Sequence, residues 1–446
     1  MKIYNKKETL ILFAGDMFFF VVSLWLTLLI RYMQVPDRDI FMTHLIPFLF
    51  LFVVWVVSFF IAGLYGKHTL LFKSRLPTLL FRTQVINSGI AVLFFYFIPY
   101  FTITPKVTLF IYLSISFALI LFWRVNLSVF LGFRKKQKAL LIGEGKEMQE
   151  LFDEINNNGR YSFSFVSAVD LGSVNEPEFE SNFLKVLSQR NFSIVVADMT
   201  SKKMEVLMPH LYELIFSNVR FAEMNTLYED IFDRVPLSLL RYDWFLQNMS
   251  APGSIVYDVL KRVMDVVIAL PLTIVLFLLY PFVWIAIKIE DGGAVFIAQD
   301  RVGKDNKIIK ILKFRSMKSS DGGVWVKEGD NRITRVGKFL RTSRIDELPQ
   351  LLSVIRGDMS LVGPRPDIYD LGMKLSREIQ CYTIRNIIKP GLSGWAQIKQ
   401  ENPPQSLEET KMRLAYDFYY IKHRSFFIDF KIALQTITTL LSRAGR

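Results

Sequence analysis

The chain has 446 residues, of which 51% are hydrophobic and 14% aromatic, and its mean hydropathy is +0.30. Those values exclude an ordinary soluble globular chain and place part of this one in lipid. The net charge of +13 and the pI of about 9.5 ask for an anionic partner, and beside so much apolar sequence anionic lipid or a phosphorylated substrate fits better than nucleic acid.

Residues 1–135 hold four apolar stretches, Leu10–Ile30, Leu45–Leu64, Val85–Ile103 and Leu109–Phe130. Each is near the roughly 20 residues that cross a bilayer as a helix. Their flanking charges set the orientation. Lys2, Lys6 and Lys7 precede the first stretch, Lys67, Lys73, Arg75 and Arg82 follow the second, and Arg134, Lys135, Lys136 and Lys138 follow the fourth. The alternate loops are poor in positive charge: Asp37 and Asp39 offset Arg31 and Arg38, and the other loop has Lys106. Both ends of this four-helix transmembrane region therefore face the cytoplasm, with the rest of the chain on that side.

Residues 136–235 change character. Lys138–Ile142 reads as a buried strand, followed by Gly143-Glu144-Gly145 and a helical pattern over Glu147–Asn157. Apolar runs at Ser162–Val169, Ser193–Ala197 and Val219–Ala222 add strands, with a helix expected at Lys203–Phe216. Alternating strands and helices argue for a parallel, Rossmann-like α/β domain. Its glycine turn has Met148 where a dinucleotide site would place a third glycine, so a regulatory or oligomerising role, with a homodimer as one outcome, fits better than cofactor binding. Residues 236–256 read as a connector with a break at Pro252-Gly253-Ser254.

Residues 257–446 form the last block. It opens with Lys261-Arg262 and Asp265, then an apolar run, Val266–Ile289, long enough to cross a bilayer. Pro271 and Pro281 interrupt the run, and Lys288 closes it with a positive charge. A full crossing would put the basic remainder of the chain outside. A helix over about 262–289 that bends at a proline and returns to the same side avoids this.

Beyond it, Asp346-Glu347 stands before Leu348, Leu351, Leu352 and Ile355, a helical spacing with Pro349 in the first turn. A helix N-terminus favours an ionised carboxylate, which can attack phosphorus, ligate Mg²⁺ or merely cap the helix. Arg341 and Arg344 lie within a turn of the pair, and Arg301, Lys313, Arg315 and Arg365 come from other segments. Such cations suit diphosphate oxygens. Pro364 and Pro366 make a stiff turn that fixes the angle of Arg365, so the three count together as a binding loop. The C-terminal stretch Phe426–Leu441 has a helical period suited to lying on a membrane or packing on the core. Cys381 is the single cysteine, and His44, His68, His210 and His423 are too dispersed for metal-ligand spacing. No cleavable signal peptide is expected: the first apolar run is too long and lacks a small-residue cleavage site.

From Lys261 to about Asp429 the chain resembles the bacterial sugar transferases, the polyprenyl-phosphate glycosyl-1-phosphate transferases. The likeness rests on Lys261-Arg262…Asp265, Arg301-Val302-Gly303, Lys313-Phe-Arg315-Ser-Met317, Asp346-Glu347, Gly357-Asp358-Met-Ser-Leu-Val-Gly363-Pro364-Arg365-Pro366, Lys389-Pro-Gly391…Gly394-Trp395-Ala-Gln397 and Tyr416-Asp-Phe-Tyr-Tyr420, in that order. Four apolar stretches and an α/β domain ahead of this block look like the family's large membrane form. The resemblance implies a mainly α-helical catalytic domain with a re-entrant membrane helix, in the bacterial inner membrane. It implies transfer of a sugar-1-phosphate from a UDP-sugar to undecaprenyl phosphate, the first membrane step of exopolysaccharide, capsule or O-antigen synthesis. Asp346 would be the nucleophile forming a phosphosugar-aspartate, Glu347 would help hold Mg²⁺, and Lys261, Arg262, Arg315 and Arg365 would contact phosphate. Two rivals stay open: a membrane-anchored NAD-dependent nucleotide-sugar dehydratase or epimerase, for which Tyr257…Lys261 has the required spacing, and a non-catalytic polysaccharide-assembly scaffold.

Overall fold

The computed structural model describes residues 6–62, 64–65, 76–97, 106–130, 137–158, 161, 163–189, 191–217, 219–249, 255–318, 333–400 and 402–441. The chain divides into two compact units, Met1–Asp230 and Ile231–Arg446.

The first unit begins with α1 (Lys6–Tyr32), α2 (Arg38–Ile61), α3 (Leu76–Phe97) and α4 (Lys106–Phe130). All four are long and apolar enough to cross a membrane. Their apolar residues point both ways. Phe20, Phe48, Phe52, Trp55, Phe59 and Tyr112 fill a dry aromatic core, while Phe110, Phe122, Phe81 and Val53 face outward more than half exposed. An apolar exterior of this kind suits lipid rather than water. Charge inside it must be paired. Arg124 of α4 binds Asp16 of α1, donates to the Leu64 carbonyl at 2.8 Å, and Tyr65 donates to Asp16 at 2.7 Å. α3 starts nine residues ahead of the expected Val85, because its polar residues are accommodated: Gln84 donates to Ser116 of α4 at 3.0 Å. The expected tail of that stretch, 98–103, lies outside the described residues.

The same unit continues with β1 (Gln137–Gly143), α5 (Gly145–Asn157), β2 (Phe163–Asp170), α6 (Phe179–Ser188), β3 (Ile194–Ala197), α7 (Met208–Glu213), β4 (Arg220–Glu223) and most of α8 (Met224–Phe232). The strands form one parallel sheet in the order β2-β1-β3-β4. The single helix expected at Lys203–Phe216 is three short pieces, with 3₁₀ turns at Lys202–Val206 and Leu214–Ser217 on either side of α7, which carries Pro209 in its first turn. At the glycine turn, the Met224 sulfur packs against Gly143 where a side chain would otherwise go. Lys203 pairs with Glu144 at 2.5 Å across the same turn. The turn therefore carries an acidic side chain, Glu144, between the two glycines, beside the backbone that a dinucleotide's pyrophosphate would approach.

The second unit contains α9 (Tyr242–Met249), α10 (Ile255–Asp291), the antiparallel hairpin β5 (Phe296–Val302) and β6 (Ile308–Phe314), α11 (Arg335–Thr342), α12 (Leu351–Arg356), β7 (Ser360–Val362), α13 (Tyr369–Glu378), β8 (Gly391–Ser393), α14 (Trp395–Lys399), α15 (Leu407–His423) and α16 (Phe426–Leu441). The unit is mainly helical. Part of the expected connector is folded core: Phe245 of α9 meets Phe418 edge-on at 4.9 Å. Trp395 is also core, stacked on Tyr419 and donating to the Asp233 carbonyl at 2.9 Å.

α10 runs unbroken through 37 residues, Pro271 and Pro281 included. The expected break at a proline is absent. Helical backbone tolerates a proline when the freed carbonyl has another partner or lies in a packed setting. One stripe of α10 is buried along its length. Ala269 packs on Ile311, Leu351 and Val354, and Leu276, Val283 and Ile287 pack on Phe314 and Leu340. Its other side exposes Val267, Phe277, Leu278 and Phe282 by 64–71%. Both ends are tied to the same unit. Asp265 accepts from Ser360 and from the Leu361 N–H, each at 3.0 Å, and Glu290 accepts from the Arg335 N–H at 2.6 Å at the start of α11.

Candidate active site

Asp346 and Glu347 lie in a 3₁₀ turn, Ile345–Gln350, that leads into α12. One continuous helix was expected; a tighter turn stands in its place, with Pro349 near its end. The residue ahead of it, Arg344, adopts a left-handed conformation at φ 58°, uncommon for a residue with a side chain. That bend turns the chain between α11 and the 3₁₀ turn. It brings both arginines of the Arg341…Arg344 pair back toward the carboxylates.

The two carboxylates have opposite surroundings. Glu347 sits among cations. Its Oε1 accepts from Arg365 Nη2 at 2.5 Å and lies 3.7 Å from Lys313 Nζ, and its Oε2 lies 3.6 Å from Arg344 Nη1. Burial works against its charge, but Arg365, Lys313 and Arg344 together hold the carboxyl well below the usual carboxylate range. Asp346 is 8% exposed, and its Oδ1 is buried with no hydrogen-bond partner. Burial, joined by the charge of Glu347, pushes its carboxyl up to about 6 despite Lys313, Arg341 and Arg344 nearby.

Two expectations change here. Asp346 is not a helix cap: the cap position belongs to Arg344, and Asp346 Oδ1 accepts nothing. Nor is its ionised form favoured by the helix start, because desolvation outweighs the few N–H dipoles of a six-residue turn. An unpartnered carboxylate in a cationic pocket is freer to attack phosphorus than a capped one.

The expected cations separate into two groups. Lys313, Arg341, Arg344 and Arg365 converge on the pair. Burial, chiefly, lowers Lys313 to about 8, against the pull of Glu347. The others have backbone or structural partners. Arg262 donates to the Val354 and Ile355 carbonyls at 2.7 and 2.6 Å, closing the C-terminus of α12 where Gly357 turns at φ 93°. Lys261 pairs with the buried Asp429 at 2.8 Å. Arg301 binds Gln299 and the Pro366 carbonyl, the latter at 2.9 Å. The Arg315 guanidinium lies over Gly293, filling the space a side chain there would need. As they stand, these four hold the frame of the site.

Pro364-Arg365-Pro366 forms the loop that carries Arg365 to Glu347. Behind it lies a charged cluster of which the motifs contain only Asp417. Arg385 pairs with Asp367 and, at 2.7 Å, with Asp417, Arg413 reaches Asp367 at 3.0 Å, and Tyr382 donates to Asp367 at 2.6 Å. Arg385 itself stands among Ile384, Ile387 and Ile388, a setting that suits a buried charge only if it is paired.

No group of three or more His, Cys, Asp or Glu side chains suited to a metal occurs among the described residues. A Mg²⁺ ion needs fewer, commonly one or two carboxylates plus substrate phosphates. Glu347 Oε2, 3.6 Å from its cation, and the unpartnered Asp346 Oδ1 are hard oxygen donors that fit such a site.

Residues 256–443 match the bacterial sugar transferase family. Over 196 residues the chain is 43% identical to the UDP-N-acetylgalactosamine-undecaprenyl-phosphate N-acetylgalactosaminephosphotransferase of Aeromonas hydrophila, covering 43% of this chain and 45% of that protein. It is 36% identical over 239 residues to the UDP-glucose:undecaprenyl-phosphate glucose-1-phosphate transferase of Escherichia coli, covering 52% and 47%. It is 42% identical over 189 residues to the protein of that name from Caulobacter vibrioides, covering 42% of this chain and 71% of the relative. The matches thus span about half the length of the first two relatives and most of the third. With the matched region enclosing the carboxylate pair and the cations around it, the chain belongs to the bacterial sugar transferase family.

Proposed function

We propose that this chain transfers a sugar-1-phosphate from a UDP-sugar to undecaprenyl phosphate, with Asp346 as the nucleophile. The observation that carries this reading is the buried, unpartnered Asp346 Oδ1 beside a Glu347 held by three cations. The sugar-linked phosphorus would meet Asp346 while Lys313, Arg341, Arg344 and Arg365 neutralise the diphosphate oxygens. The Asp346 oxygen forms a bond to that phosphorus, and the anhydride P–O bond breaks with its electron pair leaving on UMP. An oxygen of the lipid phosphate then attacks the same phosphorus and releases Asp346. Glu347, with Asp346, would hold Mg²⁺, which when bound supplies further neutralisation of phosphate charge. The glycine turn of the α/β sheet, with Met148 in place of a third glycine and the acidic Glu144 within it, favours this reading over an NAD-dependent enzyme. That sheet is best read as a doubly wound, Rossmann-like domain without a nucleotide, flanked by four spans at residues 1–135. The decisive assay is UMP release from a panel of UDP-sugars with undecaprenyl phosphate and Mg²⁺; a panel in which none of the UDP-sugars yields UMP would sink the proposal.

The pH profile follows from the two perturbed groups. Asp346 must be ionised to attack, so kcat/KM for UMP release should fall about tenfold per unit below about pH 6. Lys313 must stay charged to hold phosphate, so it should fall again above about pH 8. Lys313→Arg should remove the alkaline limb, since guanidinium does not titrate in this range. A kcat/KM that does not fall at all between about pH 7 and about pH 4 would disqualify Asp346 as the titrating nucleophile.

We also propose that α10 keeps both ends on the cytoplasmic side of the inner membrane, with its exposed apolar side in the bilayer. A crossing would draw the charged site, packed along the buried stripe of α10, into lipid. In a Cys381→Ser background, Asp258→Cys and Lys288→Cys should both escape a membrane-impermeant thiol reagent in intact cells and react after lysis. Labelling at position 288 alone in intact cells would mean that α10 crosses.

A further inference from the structure

We infer that Arg385 is a positioning residue for the transfer site, acting through the backbone of the Pro364-Arg365-Pro366 loop. The inference rests on the proposed transfer reading, which makes Arg365 a substrate-facing cation. Two of the loop's three residues are prolines and have no N–H to donate. The loop is instead gripped by its three carbonyls and by the next one along the chain. Gly391 N–H donates to Pro364 O, Arg385 Nη2 to Arg365 O and Arg301 Nη1 to Pro366 O, each at 2.9 Å, and Val302 N–H donates to Asp367 O at 3.0 Å. The grip on Arg365 itself comes from Arg385.

Arg385 cannot touch substrate, being 1% exposed. Its guanidinium is aimed by two carboxylates: it pairs with Asp367, and its Nε donates to Asp417 at 2.9 Å. Asp367 is itself the residue after Pro366, so one side chain ties down two neighbouring points of the loop. At the loop's far end Arg365 Nη2 reaches Glu347 Oε1 at 2.5 Å. A planar fork can reach a carbonyl and two carboxylates from three separate nitrogens in fixed directions, whereas an ammonium must serve all its acceptors from one atom. A small displacement of a positioned cation is enough to weaken catalysis strongly.

The test is a double-mutant cycle on the full-length protein in detergent or nanodiscs, read by UMP release. Arg385→Lys keeps the charge and removes the fork. Alone it should raise KM for the UDP-sugar about tenfold and lower kcat/KM about a hundredfold. Fewer folded molecules would lower the apparent kcat and leave KM where it was. In an Arg365→Lys background the same change should cost less than about threefold, because the group being positioned is already gone. Equal losses in both backgrounds, or an unmoved KM, would overturn the inference. Should Arg385→Lys not yield folded protein, Asp417→Asn loosens the same guanidinium without removing it and is read by the same cycle. Wild type is measured first: no UMP release there refutes the transfer reading, whereas active wild type with an additive cycle refutes the Arg385 inference alone.

Discussion

Asp346→Asn is expected to lower UMP release by about 10⁴-fold or more while leaving the protein as stable as wild type, or more so. The loss follows from the role: an amide cannot form the covalent phosphosugar intermediate, and removing a nucleophile of this kind costs orders of magnitude rather than a factor. The gain follows from the pKa. A carboxyl raised from 3.8 to about 6 in the folded state binds its proton more tightly there than in the unfolded chain. Stability from this group is therefore full below about pH 4 and is lost as pH rises through about 6. At pH 7 the ionised Asp346 costs of order 1–3 kcal/mol, from two units at about 1.4 kcal/mol each as an upper figure. Asparagine removes that cost. Thermal unfolding at pH 7 should show a midpoint unchanged or raised by a few degrees, and at pH 4 the difference from wild type should vanish. Near-normal turnover in Asp346→Asn would mean direct transfer, with the pair acting on metal alone.

Much of this site is legible in the amino-acid sequence, because its parts lie in short motifs. Asp346, Glu347, Lys313, Arg341, Arg344 and Arg365 stand among glycines, prolines and apolar residues, where a mobile surface charge is out of place. How the cations are shared out is not legible there. Arg262 and Arg301 look like phosphate ligands in one dimension, yet each donates to backbone carbonyls about 65 to 90 positions away, at Val354, Ile355 and Pro366. Periodicity gives no view of partners so distant. The sign of the Asp346 shift is hidden for a related reason. A helix start argues for ionisation, and desolvation of the buried side chain argues against it; their balance depends on packing. α10 shows the opposite failure. Two prolines suggest a break, and the packed stripe from Ala269 to Ile287 holds the helix together through both.

Glu347→Gln should move stability the other way from Asp346→Asn, although the two carboxylates are neighbours. Glutamine leaves Arg365, Lys313 and Arg344 facing one another without their counterion. The loss of a partner from a buried ion pair costs about 3–5 kcal/mol, and with Arg365 and Arg344 about a third exposed the figure here falls to about 1–3 kcal/mol. The unfolding midpoint should drop by several degrees. The charge of Glu347 also raises both neighbouring titrations, of Asp346 and of Lys313. Its removal should shift both limbs of the pH profile to lower pH, along with a fall in kcat of about a hundredfold or more. A mere loss of folded protein would scale the profile without shifting it. If the limbs stay in place while the midpoint falls, Glu347 holds the cations together but does not set the charge that the nucleophile feels. If both move, the same carboxylate organises the phosphate-binding cations and sets the acid limit on attack by Asp346.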